Sequence, residues 1–546
     1  MKAEVSMVHV WINKSQFEYD IHSLVKAFYP GEDVKVGLSG GEGKAEEGRV
    51  EGVRSEAAMG EDMQGEAWSK LAGDEEDAWT KPAGSEEDAG ANGRSADASD
   101  MVKSTDIYID FHENGITVRI GEKKEGKAFY REYAPGAGRP EIKNVLKQQL
   151  YQTLSGHLGK TLPWGTLTGI RPTKIPMGML EEGWAEEEIL ADMERKYYIS
   201  REKGKLSIDI AKRERELLST LHYKDGYSLY IGIPFCPTTC LYCSFTSYPI
   251  GLWKKRVGEY LEALEKEMAY VAEVYRDKIL DTVYIGGGTP TTLEPEELDR
   301  LLTSAGRYFD LSRVQEFTVE AGRADSITRE KLQVLKRHKI TRISVNPQTM
   351  KEETLRIIGR RHSVEQVRTA FWLAREEGFD NINMDIILGL PGETKEDVKY
   401  TAEEIRQLRP DSLTVHSLAV KRASGLNRWI EENGISALNN TDATMDIAAK
   451  AAKDMGMEPY YLYRQKNMSG NFENVGYALP GRYGIYNILI NEEVQTIAAL
   501  GAGSISKRVY PDGRIERTDN VKDVALYIER IEEMIERKKR LLGDCP

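Results

Sequence analysis

Three of the chain's 4 cysteines fall within eight positions of a 546-residue sequence, in Tyr230-Ile-Gly-Ile-Pro-Phe-Cys236-Pro-Thr-Thr-Cys240-Leu-Tyr-Cys243-Ser-Phe245. Scattered thiols read as small buried hydrophobes, but a cluster in a cysteine-poor chain asks for a metal. The spacing is C-x3-C-x2-C, and the apolar run from Tyr230 to Phe235 before it reads as a strand. Pro234 and Pro237 break regular structure, so the thiols are predicted on a loop leaving a strand end. A structural zinc would want a fourth Cys or His, usually as two separated pairs. No His lies in the loop: His222 is upstream, His338 is far downstream, and Cys545 sits beside the C-terminus. Sulfur-rich ligation also suits iron–sulfur clusters, which normally take four Cys. Three ligands leave one iron of a cubane open to bind something else, much as a catalytic zinc keeps a free position.

The bulk properties narrow the setting. The length allows two to four domains, and 40% hydrophobic with 30% charged residues is ordinary for a soluble chain. No apolar run approaches a membrane span, and the opening MKAEVSMVHVWINKSQ lacks an apolar signal core. A cytoplasmic protein with reduced thiols is therefore expected. The net charge of -13 argues against a general nucleic-acid surface, which needs basic clusters.

Along the chain, Val5 to Ile12 reads as a strand and Gln16 to Phe28 as a helix, with a turn at Pro30-Gly31. From about Ser39 to Asp100 the composition shifts to Gly, Ala, Glu, Asp and Ser, without Ile, Phe or Tyr. Such a stretch cannot bury enough surface to offset its ordering entropy, so it reads as a disordered acidic insertion. Within it, Ala67-Trp-Ser-Lys-Leu-Ala-Gly-Asp-Glu-Glu-Asp77 recurs as Ala78-Trp-Thr-Lys-Pro-Ala-Gly-Ser-Glu-Glu-Asp88, too few copies for a solenoid. Asp106–Phe111 and Gly115–Ile120 alternate about Glu113-Asn114, a hairpin signal. Residues 140 to 220 are mostly helical by period, around an irregular segment Leu162-Pro-Trp-Gly-Thr-Leu-Thr-Gly-Ile-Arg171-Pro-Thr-Lys174. From Tyr227 strands and helices alternate six times, which predicts an α/β barrel or a doubly wound parallel sheet.

The Cys loop resembles that of the radical SAM enzymes, and further segments agree. After the second strand comes Tyr284-Ile-Gly286-Gly287-Gly288-Thr289-Pro290, whose glycines let backbone approach a ligand closely. Glu320 ends the third strand, Gln348 follows Arg342-Ile-Ser-Val-Asn-Pro, and Arg360 lies in Ile357-Ile-Gly-Arg-Arg-His362. Asp385 is a lone acid inside an apolar strand. The resemblance implies a partial (β/α)6 barrel with an N-terminal α+β and helical region and a mixed C-terminal extension. It implies a [4Fe–4S] cluster held by Cys236, Cys240 and Cys243, whose unique iron binds the amino and carboxylate groups of S-adenosylmethionine. The GGGTP turn (Gly287, Gly288, Thr289) would bond the methionine amino group, Glu320 and Gln348 the ribose, and Arg360 the methionine carboxylate. Asp385 matches another cosubstrate position, and Tyr230, Tyr242 and Ala419 match positions lining the adenosine site. In domain terms this means 1–38 with 101–130 as one small α+β unit around the 39–100 insertion. A helical linker region at 131–224, the barrel at 225–430 and a substrate-side region at 431–546 follow.

Within that superfamily the order of motifs is similar to the oxygen-independent coproporphyrinogen III oxidases. Thr168-Gly-Ile-Arg-Pro-Thr-Lys174 and Tyr460-Tyr-Leu-Tyr-Arg-Gln-Lys-Asn-Met-Ser-Gly-Asn look closest to the HemZ (coproporphyrinogen dehydrogenase) branch. The better-studied oxidases carry a fourth Cys two places after the third, where this chain has Phe245, as does the haem chaperone branch HemW. The implied reaction is oxidative decarboxylation of two propionates of coproporphyrinogen III to vinyl groups, giving protoporphyrinogen IX. It needs an external one-electron donor of flavodoxin or ferredoxin type. Arg171, Lys421, Arg422 and Arg464 are the candidate propionate partners. A HemW-like haem-binding chaperone is the competing reading. An RNA-modifying enzyme is disfavoured by the acidic balance, and a plain electron carrier would leave Glu320 and Asp385 without a role.

Overall fold

The computed structural model describes residues 7–30, 32–39, 104–121, 127–169, 171–421, 424–434, 438–465 and 472–543. Residues 40–100 of the acidic insertion, Arg422 and Cys545 lie outside the described residues. The chain divides into two compact units, the first ending at Thr161 and the second running from Leu162 onward.

In the first unit β1 (Met7–Ile12) pairs in parallel with β2 (Asp33–Leu38) and with β3 (Ser104–Phe111). Strands β4 (Gly115–Ile120) and β5 (Ala128–Glu132) extend the sheet antiparallel, giving the order β2-β1-β3-β4-β5. The two ordered pieces on either side of the insertion thus share one sheet. Val8, Val10 and Ile12 alternate into the core, as a half-buried strand requires, beside the helices Glu18–Phe28 and Arg139–Leu158.

The second unit is built on six parallel strands. These are β6 (Gly226–Ile233), β9 (Ile279–Gly287), β10 (Glu316–Gly322), β11 (Arg342–Val345), β12 (Ile382–Leu388) and β13 (Ser412–Ser417). In the chain, the short parallel pair β7 (Phe235–Cys236) and β8 (Tyr248–Pro249) and the helix Val257–Val274 lie between β6 and β9. Strands covered on both faces read as near-continuous apolar runs, and Leu229, Ile231, Val283, Ile285, Val319, Ile343 and Met384 are all fully buried. Several of the intervening helices start on side-chain caps. Ser363 with Gln366, and Thr394 with Asp397, each close a reciprocal capping box.

The sheet stays open. Beside β13 it continues through antiparallel β15 (Asn474–Ala478) to β14 (Glu458–Tyr463). On the other side β16 (Thr496–Leu500) adds in parallel to β6, followed by β17 (Ile505–Val509) and β18 (Ile515–Asp519). The result is a partial α/β barrel within one eleven-stranded sheet.

The C-terminal region also closes the amino end of the barrel. The backbone N–H groups of Ile485 and Tyr486, at the start of the helix Ile485–Glu492, donate to buried Glu316 at the foot of β10 (2.6 and 3.3 Å). The last helix, Ile531–Leu542, is pinned by a fully buried ion pair, Lys538 Nζ to Glu267 Oε1 at 2.6 Å. Glu267 also accepts from Tyr527 Oη, Asn520 Nδ2 and the Gly501 N–H, so the charge is fully answered. Among the described residues no helix is long and apolar enough to cross a membrane.

Candidate cofactor site at the carboxyl ends of the strands

β6 runs out at Pro234, and the chain turns through Cys236 into the loop carrying Cys240 and Cys243. The loop is held from below by the glycine turn after β9: Gly288 N–H donates to Ile233 O (2.8 Å) and Thr289 N–H to Phe235 O (2.7 Å). This contact explains the glycines. A Cβ on Gly288 would stand 2.5 Å from Phe235 O, and one on Gly286 would stand 2.8 Å from the Tyr284 ring and 3.0 Å from the Glu320 carboxylate. Gly287 adopts φ +108, open only to glycine.

Cys236 is buried, with Sγ 3.5 Å from Thr289 Oγ1, and burial pushes its thiol up to about 11. The thiols of Cys243 and Cys240 push it the same way, and burial also raises Cys243. Thiols this reluctant to ionise become thiolates when a cation takes the proton's place. Among the described residues no three His, Cys, Asp or Glu side chains converge on a point fit for one metal ion. A cubane instead spreads three thiolates over three irons, so a single loop of this spacing suits it.

Inside the barrel the predicted ligand-binding residues face one another. The Tyr284 hydroxyl donates to Glu320, whose carboxyl is pushed up to about 7 by burial against that bond, with the Asp385 charge adding to the rise. Burial would also raise Asp385, but His416, Asn383 and Thr414 outweigh it and hold that carboxyl below its usual range. Asn383 Nδ2 donates to Asp385 Oδ1 (2.7 Å), and His416 Nε2 lies 3.8 Å from Oδ2. Gln348 sits at φ 66, a left-handed conformation costly for a side chain of its size. It is held there by its own N–H donating to Asp385 O and its carbonyl accepting from Ile387 N–H, both 2.9 Å. Arg360 donates through Nη1 to Asn346 O (2.5 Å) and through Nη2 to the Tyr242 hydroxyl (3.4 Å).

Several of these buried polar atoms have no partner among the described residues: Gln348 Oε1, Asn346 Oδ1, Ser344 Oγ and Arg360 Nε. Each costs free energy unless a ligand answers it. Three of them fall at 344, 346 and 348, where β11 ends and the chain turns out of the sheet.

A model described as the Radical SAM superfamily matches residues 230–405. The chain is 44% identical over 407 residues to the oxygen-independent coproporphyrinogen-III oxidase-like protein HemZ of Bacillus subtilis (strain 168), covering 74% of this chain and 81% of that protein. The chain belongs to this radical SAM family. Another relative, the heme chaperone HemW of Bacillus subtilis (strain 168), is 40% identical over 195 residues, 36% of this chain and 51% of that one. Among solved structures, the coproporphyrinogen III oxidase HemN of Escherichia coli, described as a radical SAM enzyme, aligns at 22% identity. It covers 59% of this chain and 72% of its own, with a TM-score of 0.46.

In this radical SAM protein the predicted aromatic residues lie in two places. Tyr230 stacks with Tyr284 (6.2 Å between centroids), and both stack on Tyr486 (6.3 and 4.5 Å), a residue of the C-terminal helix that sequence reading missed. Tyr242 sits instead on the Cys loop against Arg360. Ala419 follows β13, and Lys421 comes two residues later, partly buried, its ammonium lowered by desolvation and with no ion pair among the described residues. The other two cations point elsewhere. Arg171 is committed to Glu493 Oε2 and Asn491 O (both 2.8 Å), where Lys507 and Arg517 also converge on Glu493. Arg464 stacks over Trp164 and donates to Leu167 O (2.5 Å) in a pocket shared with Glu473 and Lys203. Also unforeseen is a charged group under the Cys loop, in which Arg323 and His362 are buried and Asp325 is more open. The only hint was charged residues within five positions of Glu320 as an apolar strand ends.

Proposed function

We propose that the chain holds a [4Fe–4S] cluster on Cys236, Cys240 and Cys243, binds S-adenosylmethionine against it, and oxidatively decarboxylates coproporphyrinogen III to protoporphyrinogen IX. The observation that carries this is the row of orphaned polar atoms and the glycine cradle facing the same end of the barrel as the Cys loop. The reduced cluster with S-adenosylmethionine supplies a carbon radical able to remove an unactivated hydrogen. The chain's own residues do the rest. Thr289, Gly287 and Gly288 offer backbone to the methionine amino group, and Arg360 has its Nε left for the carboxylate. Glu320, Gln348, Asn346 and Asp385 supply acceptors for ribose hydroxyls, and Tyr230, Tyr242 and Ala419 border the adenosine. Lys421 is the preferred partner for a substrate propionate, because its charge is half-buried and has no ion pair among the described residues. Each of the two reacting propionates would give a β-hydrogen to that carbon radical, release carbon dioxide and pass one electron to an external acceptor, leaving a vinyl group.

The test is an anaerobic assay of reconstituted protein with reductant, S-adenosylmethionine and coproporphyrinogen III. Formation of 5′-deoxyadenosine together with protoporphyrinogen supports the proposal, and cosubstrate cleavage without decarboxylation rejects the substrate. A second reading, a haem-binding chaperone, is favoured by the HemW similarity and by Phe245, which is 54% exposed beside the cluster loop. Stoichiometric haem uptake with no decarboxylation would select it.

A further inference from the structure

Arg323 leaves the third barrel strand just past Glu320 and is 2% exposed. Its Nε and Nη2 fork onto the two carboxylate oxygens of Asp325 (2.9 and 2.7 Å). The remaining nitrogen, Nη1, turns to the Cys loop, donating to the Thr238 carbonyl (3.1 Å) and hydroxyl (2.8 Å) and lying 3.9 Å from Cys240 Sγ. The Thr238 hydroxyl in turn donates to Gly359 O (2.9 Å), and Leu241 N–H donates to Ile358 O (3.0 Å). The loop is therefore stitched to the segment that carries Arg360 and His362. Asp325 has a second neighbour, His362, whose Nδ1 lies 3.5 Å from Oδ1, and burial lowers that imidazole toward its neutral form. Against burial, the bonds from His362 and Arg323 hold the Asp325 carboxyl well below the usual range, so it stays ionised.

Arg323 thus places the positive charge of a guanidinium against a cysteine sulfur. Hydrogen bonds and positive charge at cluster thiolates favour the reduced, more negative state and raise the potential. Asp325 partly cancels that charge. We infer that Arg323, with Asp325 as its counter-charge, sets the reduction potential of the iron–sulfur cluster while fixing the loop's shape. The inference rests on the cluster assignment above and makes Arg323 a positioning and tuning residue, not a ligand.

The test is a mediator titration of the reconstituted full chain, followed by the electron paramagnetic resonance signal of the reduced cluster. Arg323→Gln should make reduction at least tenfold less favourable, which is 59 mV for a one-electron couple. Arg323→Lys should recover part of that shift. Asp325→Asn should move the potential the opposite way, which a purely structural role would not do. Full cluster occupancy with the wild-type potential in Arg323→Gln overturns the inference, as does a shift of the same sign in Asp325→Asn. If Arg323→Gln fails to take up iron, wild-type potentials in both Arg323→Lys and Asp325→Asn overturn it. Absence of any cluster in the wild-type chain would overturn the proposed function as well, so the two failures are distinguishable.

Discussion

At the amino end of the barrel, Glu316 accepts from two backbone N–H groups and from Thr318 Oγ1, and Asp281 accepts from Gln495 and contacts His222. At the carboxyl end, Ser344, Asn346, Gln348 and Arg360 each keep a buried polar atom with no partner among the described residues. Both ends are comparably buried, so the difference lies in what completes the hydrogen bonding. A finished network rigidifies, whereas an unfinished one costs stability until something binds. The contrast separates residues whose hydrogen bonding is complete from residues left with a polar atom to be answered.

The largest break in that comparison comes from the loop itself. Cys236→Ala should abolish the cluster, seen as loss of bound iron and of its absorbance, while the melting temperature of the iron-free protein barely moves. Next, Glu320→Gln should weaken S-adenosylmethionine binding about tenfold to a hundredfold, the span of a hydrogen bond to a charged group, measured by calorimetry. The pH dependence sharpens this prediction. Glu320 is raised by burial to about 7, above its unfolded value of 4.5. The folded chain therefore holds this proton longer, and its contribution to stability, present at low pH, is lost as pH rises from 4.5 through about 7. The ribose hydroxyls favour the carboxylate, so cosubstrate affinity should rise from pH 6 to 8, and Glu320→Gln should flatten that rise.

Gln348→Ala should cost about tenfold in the same affinity and leave stability unchanged or raised, because it removes an unanswered oxygen. Its mirror at the other end is Glu316→Ala, which strands two buried N–H groups. The expected loss is about 1–3 kcal/mol of stability, read as a lowered melting temperature with cosubstrate affinity intact. If both ends responded alike, the division would fail. The smallest effect expected is from Lys421→Ala, a few-fold rise in KM for the porphyrinogen with little change in kcat, since a partly screened ion pair contributes modestly.

Much of this was legible in the residues. The six parallel strands and the helices Pro295–Tyr308, Arg329–Arg337, Val364–Glu376 and Lys395–Leu408 carry strong local signals: apolar runs, caps and a 3.6-residue period. What escaped was non-local. Thr496–Leu500 looks like any short apolar run, and nothing in its own sequence shows that it pairs with Tyr227–Ile231. Tyr486 reads as an ordinary helical aromatic until it is seen stacked on Tyr284. Arg323 and Asp325 read as surface charges, because two charges two residues apart normally lie in solvent. At the site, motif order pointed to residues that the fold brings to one end of the barrel, but the commitment of Arg171 to Glu493 depends on a partner 322 residues away.

The stacked Tyr486 and its helix have a consequence for how the protein is made. Chains leave the ribosome amino terminus first, so the three thiols emerge while the segment that floors the barrel is still unwritten. Until residues 485–500 arrive, Tyr230 and Tyr284 lack their stacking partner and β6 lacks the strand beside it. The sheet beside β6 is therefore complete only in a polypeptide that has reached Leu500, well after its three thiols have been made.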